Sequence, residues 1–218
     1  MPVAGYILTV LAAYMLGSIP TGFVLARAKG IDIRTVGSGN IGATNVFRSL
    51  GLPAGLVVLL ADVAKGWLAV AVVARLIGGA FAPDASPLTL EWLGFAAGVA
   101  AILGHNYTCW LYFKGGKGIA TSAGAVLALV PGALLIVLGV WVVVFALGRY
   151  VSLASIGAAV ALPFATWATG RSTNLIAVMA VVGALAVAKH ASNIKRLLNG
   201  TEKRVGGRRT PPGVLNGS

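Results

Sequence analysis

The amino-acid sequence predicts an all-α integral membrane protein with about seven transmembrane helices and three cytoplasmic segments that carry its motifs. Of its 218 residues, 58% are hydrophobic and only 10% are charged, and the mean hydropathy is +0.91. A water-soluble domain normally carries about 25% charged residues. The chain therefore has too little polar surface to cover a soluble globule, which indicates the membrane class.

Six apolar stretches approach the ~20 residues that a spanning helix needs. They are residues 4–26, 52–77, 92–112, 119–147, 151–169 and 174–191. Pro131 and Gly132 lie in the middle of the fourth stretch, and they predict a break there, because proline removes a helix hydrogen bond and glycine weakens the turn. The break gives seven helices. A five-span alternative fuses residues 151–191 into a re-entrant pair.

The charge distribution predicts the orientation. The chain has 17 Lys and Arg against 5 Asp and Glu, a formal net charge of +12. By the positive-inside rule, residues 27–51, residues 113–118 and the tail from Ser192 are cytoplasmic, and residues 78–91 are external. The N-terminus is then outside and the C-terminus in the cytoplasm. We expect one membrane domain over residues 1–204 and a basic, disordered cytoplasmic tail over 205–218.

The same composition argues against other classes of function. The basic residues mark the ends of apolar stretches, so they do not indicate nucleic-acid binding. The five carboxylates are scattered along the chain and predict no metal site.

The first cytoplasmic segment contains the run GSGNIGATNVFR at residues 37–48. Its opening matches a dinucleotide-binding G-x-G-x-x-G, with Asp62 near the expected ribose-binding position, but a membrane helix precedes it and Asp62 lies in an apolar span. Glycines let backbone amides approach an anion, and the Arg48 guanidinium can fork onto phosphate oxygens. Short polar side chains are expected to bind phosphate beside them, at Asn40, Thr44 and Asn45, and Ser38 adds a hydroxyl.

The second segment contains GHNY at residues 104–107 and FKGGKGIATS at 113–122. Gly118 stands where a P-loop needs Ser or Thr, so this is not a P-loop. It still predicts an anion site at the positive end of the following helix. Exposed amides are expected at Gly115, Gly116 and Gly118, with charge from Lys114 and Lys117. His105 either fixes the loop or transfers a proton.

The third segment contains HASNIKRL at residues 190–197, followed by Gly200, Thr201 and Glu202. His190 and Asn193 are spaced i, i+3 and would share one helix face at the membrane boundary. The histidine could activate a hydroxyl, hydrogen-bond a substrate or simply meet water. Glu202, among so many cations, is expected to organise arginines.

Two ionisable residues lie inside the second apolar stretch. Asp62 and Lys65 are spaced i, i+3, and charged groups within a membrane are usually paired or functional. A structural ion pair is the first interpretation.

These segments together resemble the bacterial acyl-phosphate:glycerol-3-phosphate acyltransferase family (PlsY), over essentially the whole chain. The resemblance rests on GSGNIGATN…R, GHN…FKGGKGIAT and HxSNIKRLxxGTE in that order, and on the run DVAKG at 62–66. The H-x-x-x-x-D motif of other glycerolipid acyltransferases is missing, since Trp110 and Lys195 follow His105 and His190 where the acid would stand.

The resemblance implies an enzyme of the bacterial cytoplasmic (inner) membrane that needs no cofactor. It would convert acyl phosphate and glycerol 3-phosphate to 1-acyl-glycerol 3-phosphate and phosphate, with the acyl chain between helices in the lipid. The soluble enzyme that makes acyl phosphate is a candidate partner. Catalysis would rest on His190, Asn193 and Ser38, and Ser155 would lie near the phosphate. Either His190 or a substrate phosphate oxygen would be the base.

A transporter of a phosphorylated metabolite is the alternative from another class, since broken helices and cationic sites serve such proteins. Against it, all three motifs fall on one side of the membrane and no internal repeat is visible.

Overall fold

The computed structural model describes residues 3–206, and every regular element in that range is a helix. A π-helical turn, Ala69–Val73, joins α4 to α5, and a 3₁₀ turn, Cys109–Leu111, follows α6. The predicted all-α class is confirmed. The α-helices in residues 3–206 are α1 Val3–Ser18, α2 Thr21–Ala28, α3 Ala43–Leu50, α4 Leu52–Leu68, α5 Ala74–Phe81, α6 Pro87–Asn106, α7 Ile119–Leu129, α8 Pro131–Gly148, α9 Val151–Ala168, α10 Thr173–Lys189 and α11 Ala191–Leu198.

Five helical segments in this range are long and apolar enough to cross a membrane, and α10 with α11 makes a sixth if that bent pair is one span. The count of seven is not confirmed. The five are Val3–Arg27, Leu52–Phe81, Pro87–Leu111, Pro131–Gly148 and Val151–Ala168.

The predicted break at Pro131 is present. Helix α7 ends at Leu129, and α8 begins at Pro131, where proline occupies the first helical position and loses no helix hydrogen bond. With 11 residues, α7 rises only about 17 Å, against a hydrocarbon core of about 30 Å. It therefore cannot be counted as a span on length alone.

The segment predicted to be external, residues 78–91, is mostly helical. Helix α5 extends to Phe81, and α6 begins at Pro87, so the connection is only residues 82–86. Ser86 caps α6, because its hydroxyl oxygen accepts from the Thr89 amide at 3.3 Å. The helices extend beyond the apolar stretches 52–77 and 92–112, because hydropathy does not register a serine cap followed by proline, which starts a helix whatever its polarity.

Small residues let the helices that carry the site approach closely. A Cβ at Gly66 of α4 would overlap the backbone oxygen of Thr121, and one at Gly124 of α7 would overlap that of Val63. Helices α1 and α6 meet in the same way at Gly17 and Gly104. Membrane helices associate through such contacts because lipid leaves little hydrophobic drive. The packing places the end of α6 and the start of α7 at one end of the bundle.

The chain after α11 folds back onto the protein. The Val205 amide donates to the Arg149 carbonyl at 2.9 Å, and Arg204 Nε donates to the Tyr150 hydroxyl at 2.8 Å. Val205, which the sequence analysis placed in the tail, is thus bound to the loop after α8. Residues 207–218, including Arg208 and Arg209, lie outside the described range.

Candidate active site

Asn45 shapes the first glycine-rich loop. Its Oδ1 accepts from the Ser38 amide at 2.8 Å, and its Nδ2 lies 2.9–3.2 Å from the carbonyls of Ile33, Val36 and Asn40. The side chain is buried beneath the loop. Asn45 was expected to contact phosphate, and the structure instead uses its amide within the loop. This leaves the exposed Ser38 at the loop surface.

The neighbouring polar residues occupy the same turn. Asn40 Oδ1 accepts from the Gly42 amide at 2.8 Å, which closes an Asx-type turn. Thr44 lies in the first turn of α3 and is partly buried. Within residues 3–206, no hydrogen bond connects Ser38, Asn40 or Thr44 to Lys117 or His190.

The second glycine-rich loop is bound to the end of α6. The Gly116 amide donates to the His105 carbonyl at 3.0 Å, and the Gly115 amide donates to the Asn106 carbonyl at 3.3 Å. These amides were predicted to cradle an anion, and in the structure both donate to backbone carbonyls of α6. These two bonds hold the loop against α6.

The remaining loop residues have separate positions. Gly118 has φ +76°, a left-handed conformation that glycine adopts without strain, and it directly precedes α7. Lys114 is exposed, whereas Lys117 is partly buried. The loop therefore directs Lys117, and not Lys114, toward the other motifs.

His190 lies where α10 and α11 meet at an angle of 57°, so it precedes the helix that was predicted to carry it. It is buried, and its Nδ1 lies 2.7 Å from the Ala186 carbonyl. A carbonyl oxygen only accepts, so Nδ1 carries the hydrogen of the neutral ring. Nε2 then holds a lone pair that can accept a proton.

A chain of hydrogen bonds connects the second and third motifs. Lys117 Nζ donates to Asn193 Oδ1, and Asn193 Nδ2 donates to Glu202 Oε1 at 2.7 Å. The Ser152 hydroxyl also donates to Glu202 Oε1, and Arg196 Nε donates to Glu202 Oε2, both at 2.7 Å. Glu202 organises an arginine as predicted. The structure also brings in α9 through Ser152.

Arg48 brings the first motif to the same place. Its Nη2 donates to the Lys203 carbonyl at 3.4 Å, next to Glu202. Arg48, Lys189 and Arg196 are all close enough to Lys117 to lower its pKa by charge repulsion. Four cations thus lie near one carboxylate, and this excess of positive charge attracts anions.

The charges of this cluster affect its protonation. Burial, more than the neighbouring cations, lowers the pKa of Lys117 to about 8, while Glu202 raises it. Burial alone would raise the pKa of Glu202, but hydrogen bonds from Ser152, Arg196 and Asn193 hold it below its ordinary value. At neutral pH the site therefore contains a cationic lysine beside an ionised carboxylate.

An apolar cavity begins beside the cationic cluster. Ile119, which follows the second loop, lines it together with Ala186, whose carbonyl meets His190. Ser155 also lines it and accepts from Trp141 Nε1 at 3.2 Å. The other walls come from α7, α8, α9 and α10 and are almost entirely aliphatic. A polar head and an apolar chain could therefore be held together.

The predicted ion pair in the second span is present. Lys65 Nζ lies 2.8 Å from Asp62 Oδ1, and both side chains are buried. His105 is buried beside them, with Nδ1 3.6 Å from the same oxygen.

Sequence reasoning missed several participants. Lys189 is partly buried, donates to the Asn106 carbonyl at 3.1 Å and lies over the Tyr107 ring. Trp141 and Ser152 come from apolar helices and carry no motif signal. Only proximity of distant segments reveals them. Lys189 could have been noticed, because it directly precedes His190 at the end of an apolar stretch.

Comparison with known proteins shows what this chain is similar to. The family profile described as "Glycerol-3-phosphate acyltransferase" matches residues 7–200. A glycerol-3-phosphate acyltransferase of Geotalea daltonii is 46% identical over 196 residues, covering 90% of this chain and 95% of that protein.

Two crystal structures of PlsY, an integral membrane glycerol 3-phosphate acyltransferase, also match. The glycerol 3-phosphate form has a TM-score of 0.81 and 41% identity, covering 92% of this chain and 96% of that one. The lysophosphatidic acid form has a TM-score of 0.79 and 40% identity, covering 92% and 95%.

The Lys117–Glu202 arrangement makes a testable prediction about charge. Glu202→Gln removes the negative charge that raises the pKa of Lys117, so this pKa should fall below its value of about 8. Competitive acetylation of Lys117 across a pH series, followed by mass spectrometry, measures the acetylation midpoint, which is the pH at which half of the Lys117 side chains are deprotonated. Glu91→Gln, near the opposite end of α6 from His105, is the matched control and should leave the midpoint unchanged. A midpoint that stays the same or rises in Glu202→Gln would contradict the arrangement.

Proposed function

Because this chain belongs to the glycerol-3-phosphate acyltransferase family, we propose that its acyl donor is acyl phosphate and its product 1-acyl-glycerol 3-phosphate. The chain is an integral membrane acyltransferase of phospholipid synthesis. One observation carries the proposal: a cluster of cations around Lys117 borders an aliphatic cavity. Such a site suits a ligand with a phosphate at one end and an acyl chain at the other.

The two substrates would both present phosphate to the cluster. We assign one of the two phosphate groups to Arg48 and the other to Lys117. These two residues lie on different motifs of the same cluster. A guanidinium forks onto two phosphate oxygens, and the lysine acts as a compact point charge. Ser38, exposed at the loop beside α3, would add a hydroxyl donor. Holding both phosphates brings the glycerol hydroxyl to the acyl carbon, which supplies much of the rate enhancement.

In the reaction, the 1-hydroxyl oxygen of glycerol 3-phosphate forms a bond to the acyl carbon, and the bond from that carbon to the phosphate oxygen breaks. Phosphate leaves with the electron pair, and the cations stabilise its charge. The hydroxyl proton passes to His190 Nε2 or to a phosphate oxygen of the donor. The hydrogen on Nδ1 favours the first route, since it leaves Nε2 with its lone pair.

Asn193 would act by positioning Lys117, since its amide joins that lysine to Glu202. Ser155 is separated from Ser152 by one helical turn and lies at the wall of the cavity. This placement suits a contact near the acyl carbonyl.

Purified protein in lipid should release phosphate from acyl phosphate only when glycerol 3-phosphate is added, and should form lysophosphatidate in equal amount. Arg48→Ala should lower kcat/KM about 10- to 100-fold, as expected for one charged hydrogen-bonding group. Arg34→Ala is the matched control, because Arg34 is exposed and pairs with Asp32 at 2.7 Å. Activity with acyl-CoA but not with acyl phosphate would refute the proposed donor.

The cavity makes a separate prediction about the acyl chain. Ala158 lines the cavity, so Ala158→Phe should raise KM for a long-chain acyl phosphate roughly tenfold, since a phenyl ring would displace several methylenes of the chain. Val160→Phe on the exposed side of the same helix is the control and should change KM by about twofold at most. An equal KM in both variants would place the acyl chain elsewhere.

We also propose that the motif-bearing end faces the cytoplasm, since the cations cluster there. In a Cys109→Ser background, a membrane-impermeant maleimide should label Asp84→Cys on bacterial spheroplasts. It should label Lys29→Cys only after lysis. Labelling in the reverse order would show that the orientation is inverted.

A further inference from the structure

Beneath the active site, three ionisable side chains lie buried between helices. Asp62 is 2% exposed, Lys65 4% and His105 5%. Asp62 Oδ1 accepts from Lys65 Nζ at 2.8 Å and from the Thr21 hydroxyl at 2.7 Å, and His105 Nδ1 lies 3.6 Å away. We call these three residues the buried cluster. Within residues 3–206, no side-chain hydrogen bond joins these residues to Lys117 or Glu202.

Stability alone does not account for the buried cluster. Removing two charges from water costs several kcal/mol for each ion, and aliphatic side chains of the same volume are often as stable. In the apolar part of a membrane protein, charged residues are correspondingly rare and are usually functional. A role in orienting another group would account for such a pair.

The group that the buried cluster can orient is the second glycine-rich loop. The ring of His105 lies directly against Gly116, where an added Cβ would overlap Nε2. The carbonyl of His105 accepts from the Gly116 amide at 3.0 Å. His105 therefore contacts Gly116 through both its ring and its backbone, and the next residue in the chain is Lys117.

Lys65 connects the buried cluster to the first span. Its Nζ donates to the Ile19 carbonyl at 3.0 Å, at the break between α1 and α2. Thr21, the first residue of α2, also donates to Asp62. Three spans thus meet at one carboxylate, so the position of the His105 ring depends on how these three spans pack.

We propose that Asp62, Lys65 and His105 are positioning residues that hold Gly116 through the His105 ring, so that Lys117 is directed at Asn193 and the substrate phosphate. The inference rests on the proposed function for its substrate, but the geometry of Lys117 can be measured without substrate. None of the three residues needs to contact a reacting atom.

The double variant Asp62→Asn/Lys65→Met removes both charges without leaving either unpaired. If the buried cluster positions the loop, Lys117 becomes more hydrated, and its acetylation midpoint should rise from about 8 toward the ordinary 10.5. A shift of about one pH unit or more is expected, since burial is the main cause of the depression. KM for the substrate whose phosphate Lys117 binds should rise roughly tenfold, with a smaller change in kcat.

Asp32→Asn/Arg34→Met is the matched control, because it removes an exposed pair on the same cytoplasmic side. It should leave the midpoint and KM unchanged. An unchanged midpoint in folded Asp62→Asn/Lys65→Met protein would overturn the inference. If wild-type protein showed no acyl-phosphate activity, the proposed function would fail, and the midpoint would still decide the positioning role.

A second pair of variants serves if the first does not fold. Gly116→Ala should displace the loop and raise the Lys117 midpoint, because its Cβ meets the His105 ring. His105→Ala/Gly116→Ala removes the ring that the new Cβ meets, so the two substitutions should be non-additive. The rise in the Lys117 midpoint caused by Gly116→Ala should be at least about threefold smaller in the His105→Ala background than in the wild-type protein. Equal effects of Gly116→Ala in both backgrounds would overturn the inference.

Discussion

The candidate site depends on the two hydrogen bonds made by the side-chain amide of Asn193. Its oxygen accepts from Lys117 and its nitrogen donates to Glu202, so one residue joins the second motif to the third. Glu202 in turn accepts hydrogen bonds from Ser152 and Arg196. The backbone carbonyl of the next residue accepts one from Arg48. An amide can do this because it is both donor and acceptor, whereas a carboxylate or an ammonium is only one of them.

The membrane explains where the site lies. Phosphate groups arrive from water, whereas an acyl chain is most stable among aliphatic side chains. A site at the edge of the bundle, with cations outside and a cavity between α7, α8, α9 and α10 within, serves both without burying a phosphate in the apolar region. The bend at His190 places the imidazole at the boundary between these two environments.

The glycine-rich motifs did not reveal which groups their backbone amides contact. The pattern at residues 113–118 predicts an anion-binding region, and in the structure the amides of Gly115 and Gly116 are bound to α6. Asn45, likewise, supports the first loop from beneath. Both residue types allow close approach of backbone, and a sequence does not reveal whether the approaching group is a ligand or another helix. Hydrogen-bond partners decide between the two.

The sequence by itself determined the membrane class, the helical fold, the break at Pro131 and the residue types of the site, because hydropathy, proline and motif chemistry are local properties. Asp62 and Lys65 were predictable as a pair, since i, i+3 residues are neighbours on any helix. Only the tertiary structure decided that Ser152, Trp141 and Lys189 belong to the site, that α6 starts at Pro87, and that His105 lies against Gly116. These contacts join segments far apart in the chain, and their geometry depends on how closely the helices pack.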